Sequence, residues 1–239
     1  MNISTRKDTD MIRTIEPVAL IHNDFKGKFG VPRQSGLHSG KSLILFEQAF
    51  RSPDCLKGIE GYSHLWLIWG FSENVDAGWS PTVRPPRLGG NVRRGVFASR
   101  SPFRPNGLGL SCVRLLEYRE STPEGPALIV SGADLMDGTP IYDIKPFVPY
   151  SDLQPDALSG FAASKKDHYL MVDCDPALLT VLPEEKREPL LECLALDPRP
   201  SYHRLPERIY GMSYAGFEVR FRVEDETLFV VSIDPSAGQ

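Results

Sequence analysis

Over the first 150 residues the apolar positions come in short runs, alternating with polar neighbours or cut by Gly and Pro. A period of two puts every second side chain on one face of a strand, and the 3.6-residue rhythm of long helices is scarce here. Strands are predicted over Ile15–His22, Ser42–Phe46, Leu65–Phe71, Arg94–Ser99, Leu110–Tyr118, Ala127–Ser131 and Ile141–Pro149. Many short strands with few helices between them predict a barrel or a sandwich. No strand–helix–strand rhythm is present, and no G-x-G-x-x-G follows a strand and opens a helix. A dinucleotide-binding fold is therefore not expected.

The pattern changes near Tyr150. The stretch SDLQPDALSG is polar, and the charged runs KKD and PEEKREP follow it. Asp175-Pro176 is suited to start a short helix, with Asp as cap and Pro in the first turn. Pro189 is expected to kink or restart the next helix, which continues as LLECLAL. FEVRFRV then alternates strictly, with Phe217, Val219, Phe221 and Val223 on one face, and a turn over Glu224–Thr227 leads back into LFVVSI as a hairpin. The expected organisation is a disordered tail at residues 1–11, a barrel domain at 12–152 and a small α+β domain at 153–239.

Charge is distributed unevenly. Between Ala77 and Leu116 the chain has seven arginines (Arg84, Arg87, Arg93, Arg94, Arg100, Arg104, Arg114) and no Asp, Glu or Lys. The whole chain has 27 basic and 31 acidic residues, so the remainder is strongly acidic. A basic segment on an acidic body is an electrostatic footprint for a polyanion, most commonly nucleic acid. Guanidinium groups grip phosphate bidentately and stack on bases. The alternative is that these arginines are solvated loop charges or partners of surface carboxylates. Their interleaving with Gly, Pro, Asn and Ser favours loops that display amides and guanidiniums together.

Other chemistry is sparse. Cys55, Cys112, Cys174 and Cys193 show no C-x-x-C spacing, and His22, His38, His64, His168 and His203 show no metal-ligand spacing. The expectation is a cytoplasmic protein without a metal, a disulfide frame or a membrane segment: no run of 18 apolar residues exists and the N-terminus has no signal-like apolar stretch. His64 reads as a satisfied strand-end histidine. Trp66, Trp69 and Tyr62 read as core or interface, and Asp143 with Lys145 as a strand-edge ion pair.

Four patches fall together: FGVPRQSGL (Phe29–Leu37), GYSHLWLIWGF (Gly61–Phe71), PTVRPPRLGGN…GVFASRSPFRPNGLGLS (Pro81–Ser111) and DLMDGTPIYDIKPFVPYSD (Asp134–Asp152). In this order they resemble the TrmO family, also called TsaA-like. DPRPSYHR (Asp197–Arg204) resembles that family's C-terminal signature. The resemblance implies a mainly β protein, with a small N-terminal TsaA-like β-barrel and a small α+β C-terminal domain. It also implies a homodimer that uses S-adenosylmethionine to methylate N6 of threonylcarbamoyladenosine next to the anticodon of tRNA. A non-catalytic S-adenosylmethionine- or RNA-binding module on the same fold is the alternative. A third reading takes RSPFRP as a proline-rich ligand for a partner domain, against which the flanking strands argue.

By the same resemblance the cofactor pocket would be lined by Pro32, Arg33, Gln34, Ser72, Glu73, Arg100, Leu110 and the run Ala133, Asp134, Leu135, Met136, Asp137, Gly138, Thr139. Ser72-Glu73 stands where many relatives have a His-polar pair, and Asn106-Gly107 where the family commonly has Asn-Pro. These residue types suit the ligand: Asp134 or Asp137 for ribose hydroxyls or the ammonium, Arg33 or Arg100 for the carboxylate, Leu110 against adenine. Asp137-Gly138 is also a strong turn dipeptide, and Gln34 and Ser35 also fit as loop decoration. Asp134 is the candidate general base. Arg84, Arg87, Arg93, Arg94 and Arg104 are expected to face the anticodon loop, with Arg199, His203 and Arg204 as a second contact.

Overall fold

A computed structural model describes residues 12–73, 78–85, 92–165, 169–199, 205 and 207–236. The predicted tail (1–11), Arg87, His203 and Arg204 lie outside the described residues.

Six antiparallel strands close into a barrel: β1 (Ala19–His22), β2 (Lys41–Phe46), β3 (His64–Gly70), β6 (Leu108–Thr122), β7 (Gly125–Ser131) and β8 (Pro140–Pro146). Their order around the barrel is β1-β2-β7-β6-β3-β8, and β8 returns to β1 through Ala19 opposite Ile141. Closure removes the unpaired sheet edges that would otherwise invite aggregation. Alternation fills the interior: Ile21, Ile44, Leu65, Leu67, Val113, Leu128, Val130 and Ile141 are all buried. The outward residues of β3 and β6 pair as His64 with Arg114, Trp66 with Cys112 and Ile68 with Leu110.

Four predicted strands differ from expectation: Leu110–Tyr118 runs from Leu108 to Thr122, Ile141–Pro149 ends at Pro146, and the first strand and Arg94–Ser99 differ as follows. The first begins only at Ala19. Arg94–Ser99 is a two-residue strand β5 (Arg94–Gly95), paired with β4 (Thr82–Val83), followed by a single 3₁₀ turn over Val96–Ala98. Local hydrogen bonds explain the turn. The Val96 carbonyl accepts from both the Ser99 amide (3.2 Å) and the Ser99 hydroxyl (2.8 Å), and such local bonds compete with a strand ladder.

Beyond the barrel lie a short helix α1 (Pro149–Asp152) and a sheet of β10 (Tyr210–Tyr214), β11 (Phe217–Glu224), β12 (Thr227–Pro235) and β9 (Met171–Asp173). The helices α2 (Pro176–Leu179) and α3 (Glu184–Ala195) accompany this sheet. Asp175 caps α2 by accepting from the Ala177 amide at 2.9 Å. The hairpin turns between Glu224 and Thr227. Pro189 sits inside α3 instead of dividing it. A mid-helix proline costs about 3 kcal/mol, and here Pro189, Leu190, Cys193 and Leu194 are all buried, so packing offsets the loss. The core under this sheet also takes Phe25, Phe29 and Val31, which come from the segment after β1. That segment is further tied by Lys186–Asp24 (2.5 Å) and by Glu192, which accepts from the Ser39 amide and hydroxyl (2.6 and 2.7 Å).

Candidate functional site

The loop from Pro32 to Gly40 is stitched to the barrel at both ends. Gly36 donates to the Gly132 carbonyl (2.8 Å), Gly132 donates to the Gly40 carbonyl (3.3 Å), and the Ser35 hydroxyl accepts from the Cys112 amide (3.1 Å). His38 lies beneath this loop, accepting from the Gly40 amide at Nδ1 (3.1 Å) with Nε2 2.9 Å from the Ala133 carbonyl. Since that carbonyl only accepts, the neutral ring carries its proton on Nε2. Burial holds the His38 pKa below the ordinary histidine value, against the pull of the Ala133 carbonyl and the carboxylates of Glu192, Asp134 and Asp24.

These stitches hold Asp134 against the barrel, between Ala133 and Leu135 of its core. Its Oδ1 accepts from the Ser111 hydroxyl at 2.5 Å, and the Ser111 oxygen accepts from the Trp69 indole N–H at 2.9 Å. Ser111 and Trp69 point into the barrel by strand alternation, between Gly109 and Val113. The Trp69 ring lies so close over Gly109 that a Cβ there would fall inside the indole. Burial pushes the Asp134 carboxyl above the ordinary carboxylate value, while the Ser111 hydrogen bond and the charge of Arg100 favour ionisation. Arg100 itself is exposed and donates to the side-chain oxygen of Gln34. Arg100, Gln34, Asp134 and Ser111 therefore form one cluster, while Leu110, next to Ser111 on β6, faces outward and is 54% exposed. The Phe71 amide donates to the Gly107 carbonyl (2.9 Å), which brings the exposed Ser72-Glu73 turn beside the same loop.

Other residues of the expected pocket are occupied differently. Arg33 donates to the carbonyls of Asp197 (3.1 Å) and Arg199 (2.7 Å), so its guanidinium ties the loop to the C-terminal segment. Asp137 accepts from Lys26 (2.5 Å) and the Asn23 amide (2.9 Å). Partial burial works against its charge, yet Lys26 and Asn23 hold its carboxyl below the usual range. Pro32, Ala133, Leu135 and Thr139 are buried, Met136 is half-buried, and Gly138 is exposed in a left-handed turn. Gly107 has φ of 58° and donates to the Arg104 carbonyl at 3.1 Å. A proline can adopt neither that angle nor that bond, so this loop has a backbone conformation that Asn-Pro would not allow.

On the basic face, Arg84, Arg93, Arg94 and Arg100 are exposed and Arg104 is half-buried. Among the described residues none of them makes a direct ion pair with a carboxylate, and Arg100 acts on Asp134 through its charge alone; Arg93 donates to Thr82 and Arg104 to the Ser99 carbonyl. The ion-pair alternative for these arginines therefore finds no support there. Arg199 differs: it forms a bidentate pair with Asp197 (2.8 and 3.0 Å) and its side chain is only 12% exposed, which places it in the frame that also holds Arg33. A cleft of about 370 Å³ opens beside the Gly36–Ser39 loop and is lined in part by His38, His64, Cys112, Arg114 and Glu192, but not by Asp134 or Arg100. Burial raises the Cys112 thiol, with Asp152 adding to the shift, so it stays protonated. Among the described residues no group of His, Cys, Asp and Glu is placed to hold a metal, and no helix is long and apolar enough to cross a membrane.

Two family profiles cover most of the chain: the tRNA-methyltransferase O N-terminal domain matches residues 20–153 and the TrmO C-terminal domain residues 177–236. The chain belongs to the TrmO family. An Escherichia coli relative named tRNA (adenine(37)-N6)-methyltransferase is 40% identical over 235 residues, covering 92% of this chain and 97% of the relative. A relative from Eikenella corrodens with the same name is 47% identical over 163 residues, covering 68% and 92%. The crystal structure of TrmO from P. aeruginosa superposes with a TM-score of 0.74 at 32% identity, covering 95% of this chain and 98% of that one. The barrel with an α+β C-terminal part is thus the family fold. Sequence reasoning did not single out Ser111, Trp69 or His38 as parts of the site. The available signal for Ser111 was a hydroxyl at an inward position of an alternating strand.

Proposed function

We infer that this chain is an S-adenosylmethionine-dependent methyltransferase acting on N6 of adenine 37 in tRNA. The observation that carries this is the cluster of Asp134, Ser111, Arg100 and Gln34 beside arginines without carboxylate partners, in a chain that matches the E. coli enzyme over nearly its whole length. The donor set suits S-adenosylmethionine. Arg100 is a cation for its carboxylate, Asp134 an anion for its ammonium or sulfonium, and Leu110 an exposed apolar wall for adenine. When bound, that cofactor supplies an electrophilic methyl carbon on a positively charged sulfur.

The chain's own residues have two tasks. The first is alignment of the acceptor base, for which Gln34 and Arg100 form a cross-strut between two loops. The second is removal of the N6 proton. The proposed substrate carries a threonylcarbamoyl group on N6, which leaves that nitrogen amide-like and weakly nucleophilic. Asp134 takes the proton as it leaves, with Ser111 fixing the carboxylate's position. A general base contributes about 10²–10⁴-fold, and Asp134→Asn should lose a factor in that range. Because burial raises its carboxyl, activity should rise with pH as Asp134 ionises. A homodimer and a cytoplasmic location belong to the same proposal.

The test is incubation with methyl-labelled S-adenosylmethionine and tRNA prepared with and without the threonylcarbamoyl group. Label in the N6-methyl nucleoside of the modified tRNA alone supports the proposal. Binding of the cofactor without label transfer favours a sensor on the same fold.

A further inference from the structure

Phe97 is 79% exposed, within a segment whose preceding residue, Val96, is 2% exposed. Leaving a phenylalanine ring in water forgoes the favourable burial of its apolar surface, and here the ring is held out by a fixed loop. Val96 anchors the turn in the interior, and its amide donates to the Pro81 carbonyl at 3.0 Å. The Ser99 hydroxyl donates to the Val96 carbonyl, Ser99 Oγ accepts from the Ser101 amide (3.4 Å), and Ser101 Oγ accepts from the Phe103 amide (3.2 Å). Arg104 closes the far side through the Ser99 carbonyl (3.3 Å). Among the described residues no ring or cation stacks on Phe97.

The surroundings identify what would cover it. Arg93 and Arg94 precede the turn in sequence, both exposed and without carboxylate partners among the described residues, and Arg100 follows it. Tyr150 is even more exposed at 92%, but it sits two residues from Asp152 and carries no such basic frame. An exposed aromatic face in a segment rich in exposed arginines matches an unstacked base with phosphates on either side.

We propose that Phe97 is a stacking platform for a base of the tRNA anticodon loop, held beside the acceptor adenine while Arg93 and Arg94 grip the flanking phosphates. This rests on the tRNA reading above and adds a residue to it. It is a binding role, separate from proton removal at Asp134.

The experiment measures affinity for a synthetic anticodon stem-loop RNA by fluorescence anisotropy across a salt series. Stacking contributes about 1–3 kcal/mol per base, so Phe97→Ala should weaken binding roughly 5- to 150-fold. Phe97→Trp should retain affinity, and Phe97→Leu should lose it as alanine does, because a leucine has no π-face. The salt slope should stay unchanged in Phe97→Ala, whereas Arg94→Ala should lower it by about one. Unaltered melting temperatures would tie the loss to the RNA contact. Wild-type affinity in Phe97→Ala, rescue by Phe97→Leu, or a change in oligomeric state with unchanged RNA affinity would each overturn the proposal. If wild-type protein does not bind the stem-loop at all, the tRNA reading itself fails, which separates the two.

Discussion

Replacing Ser111 by alanine removes one hydroxyl that serves two buried partners. The oxygen accepts from Trp69 Nε1 at 2.9 Å and donates to Asp134 at 2.5 Å, and Ser111 is 1% exposed, so water has no access to take its place. An indole N–H left without an acceptor costs about 1–3 kcal/mol, and a hydrogen bond to an ionised carboxylate is worth about 1.5–3 kcal/mol. The two losses share one atom and are not additive, which gives an expected destabilisation of roughly 2–4 kcal/mol near neutral pH. Part of that loss depends on the charge of Asp134. Its folded-state carboxyl already titrates above the ordinary value because of burial, and losing the Ser111 donor should raise it further. The folded state then holds its proton to higher pH than the unfolded chain does, so stability declines as pH rises through that window. Denaturant unfolding of wild type, Ser111→Ala, Asp134→Asn and the double variant, at neutral and mildly acidic pH, isolates the effect. The Ser111→Ala penalty should shrink on acidification and should be smaller in the Asp134→Asn background. A variant within about 0.5 kcal/mol of wild type, or an equal penalty with and without Asp134, would refute the coupling.

Three further outcomes follow from the same frame. Gly109→Ala should cost about 1–3 kcal/mol by overpacking, since its Cβ would displace the Trp69 indole, and it should lower methylation along with stability; calorimetry and an activity assay check both. His38 is buried and neutral, with a pKa below its ordinary 6.5, so folding stability should be lost as pH falls from 6.5 towards the folded-state value; His38→Gln should flatten that part of the pH–stability curve. Gly107→Pro should destabilise the loop despite the family's common Asn-Pro, because proline fits neither the φ of 58° nor the hydrogen bond to Arg104; a drop in melting temperature and in cofactor affinity is the readout.

The barrel was legible from short β-rich runs cut by Gly and Pro, but not its inward face: Leu65 to Trp69 on β3 are all apolar, and on β2 the buried Ser42 alternates with less buried Leu43 and Leu45. The hairpin of β11 and β12 was legible because FEVRFRV alternates strictly. Arg94–Ser99 was misread as a strand because its β-favouring side chains say nothing of the Ser99 hydroxyl that closes a turn on Val96. Pro189 does not restart the helix, because burial in α3 outweighs a local rule. Phe25, Phe29 and Val31 leave no local sign that they fill the second core, since that packing joins residues nearly 200 positions apart, such as Phe29 and Phe221. In the site, the resemblance pointed to Gln34, Arg100 and Asp134, which do come together. It did not foresee that Arg33 and Asp137 would be engaged by Asp197, Arg199, Lys26 and Asn23, because the residue type alone does not reveal its partner.

The central claim is that the Asp134 cluster serves N6 methylation of adenine 37. Mass spectrometry of nucleosides from tRNA treated with wild-type protein and with Asp134→Asn tests it most directly. A methyl group gained at that one adenosine with wild-type protein, and its formation slowed about 10²–10⁴-fold by Asp134→Asn, is the expected result. Methylation at full rate without the Asp134 carboxylate, or no methyl gain on any tRNA, would contradict the account.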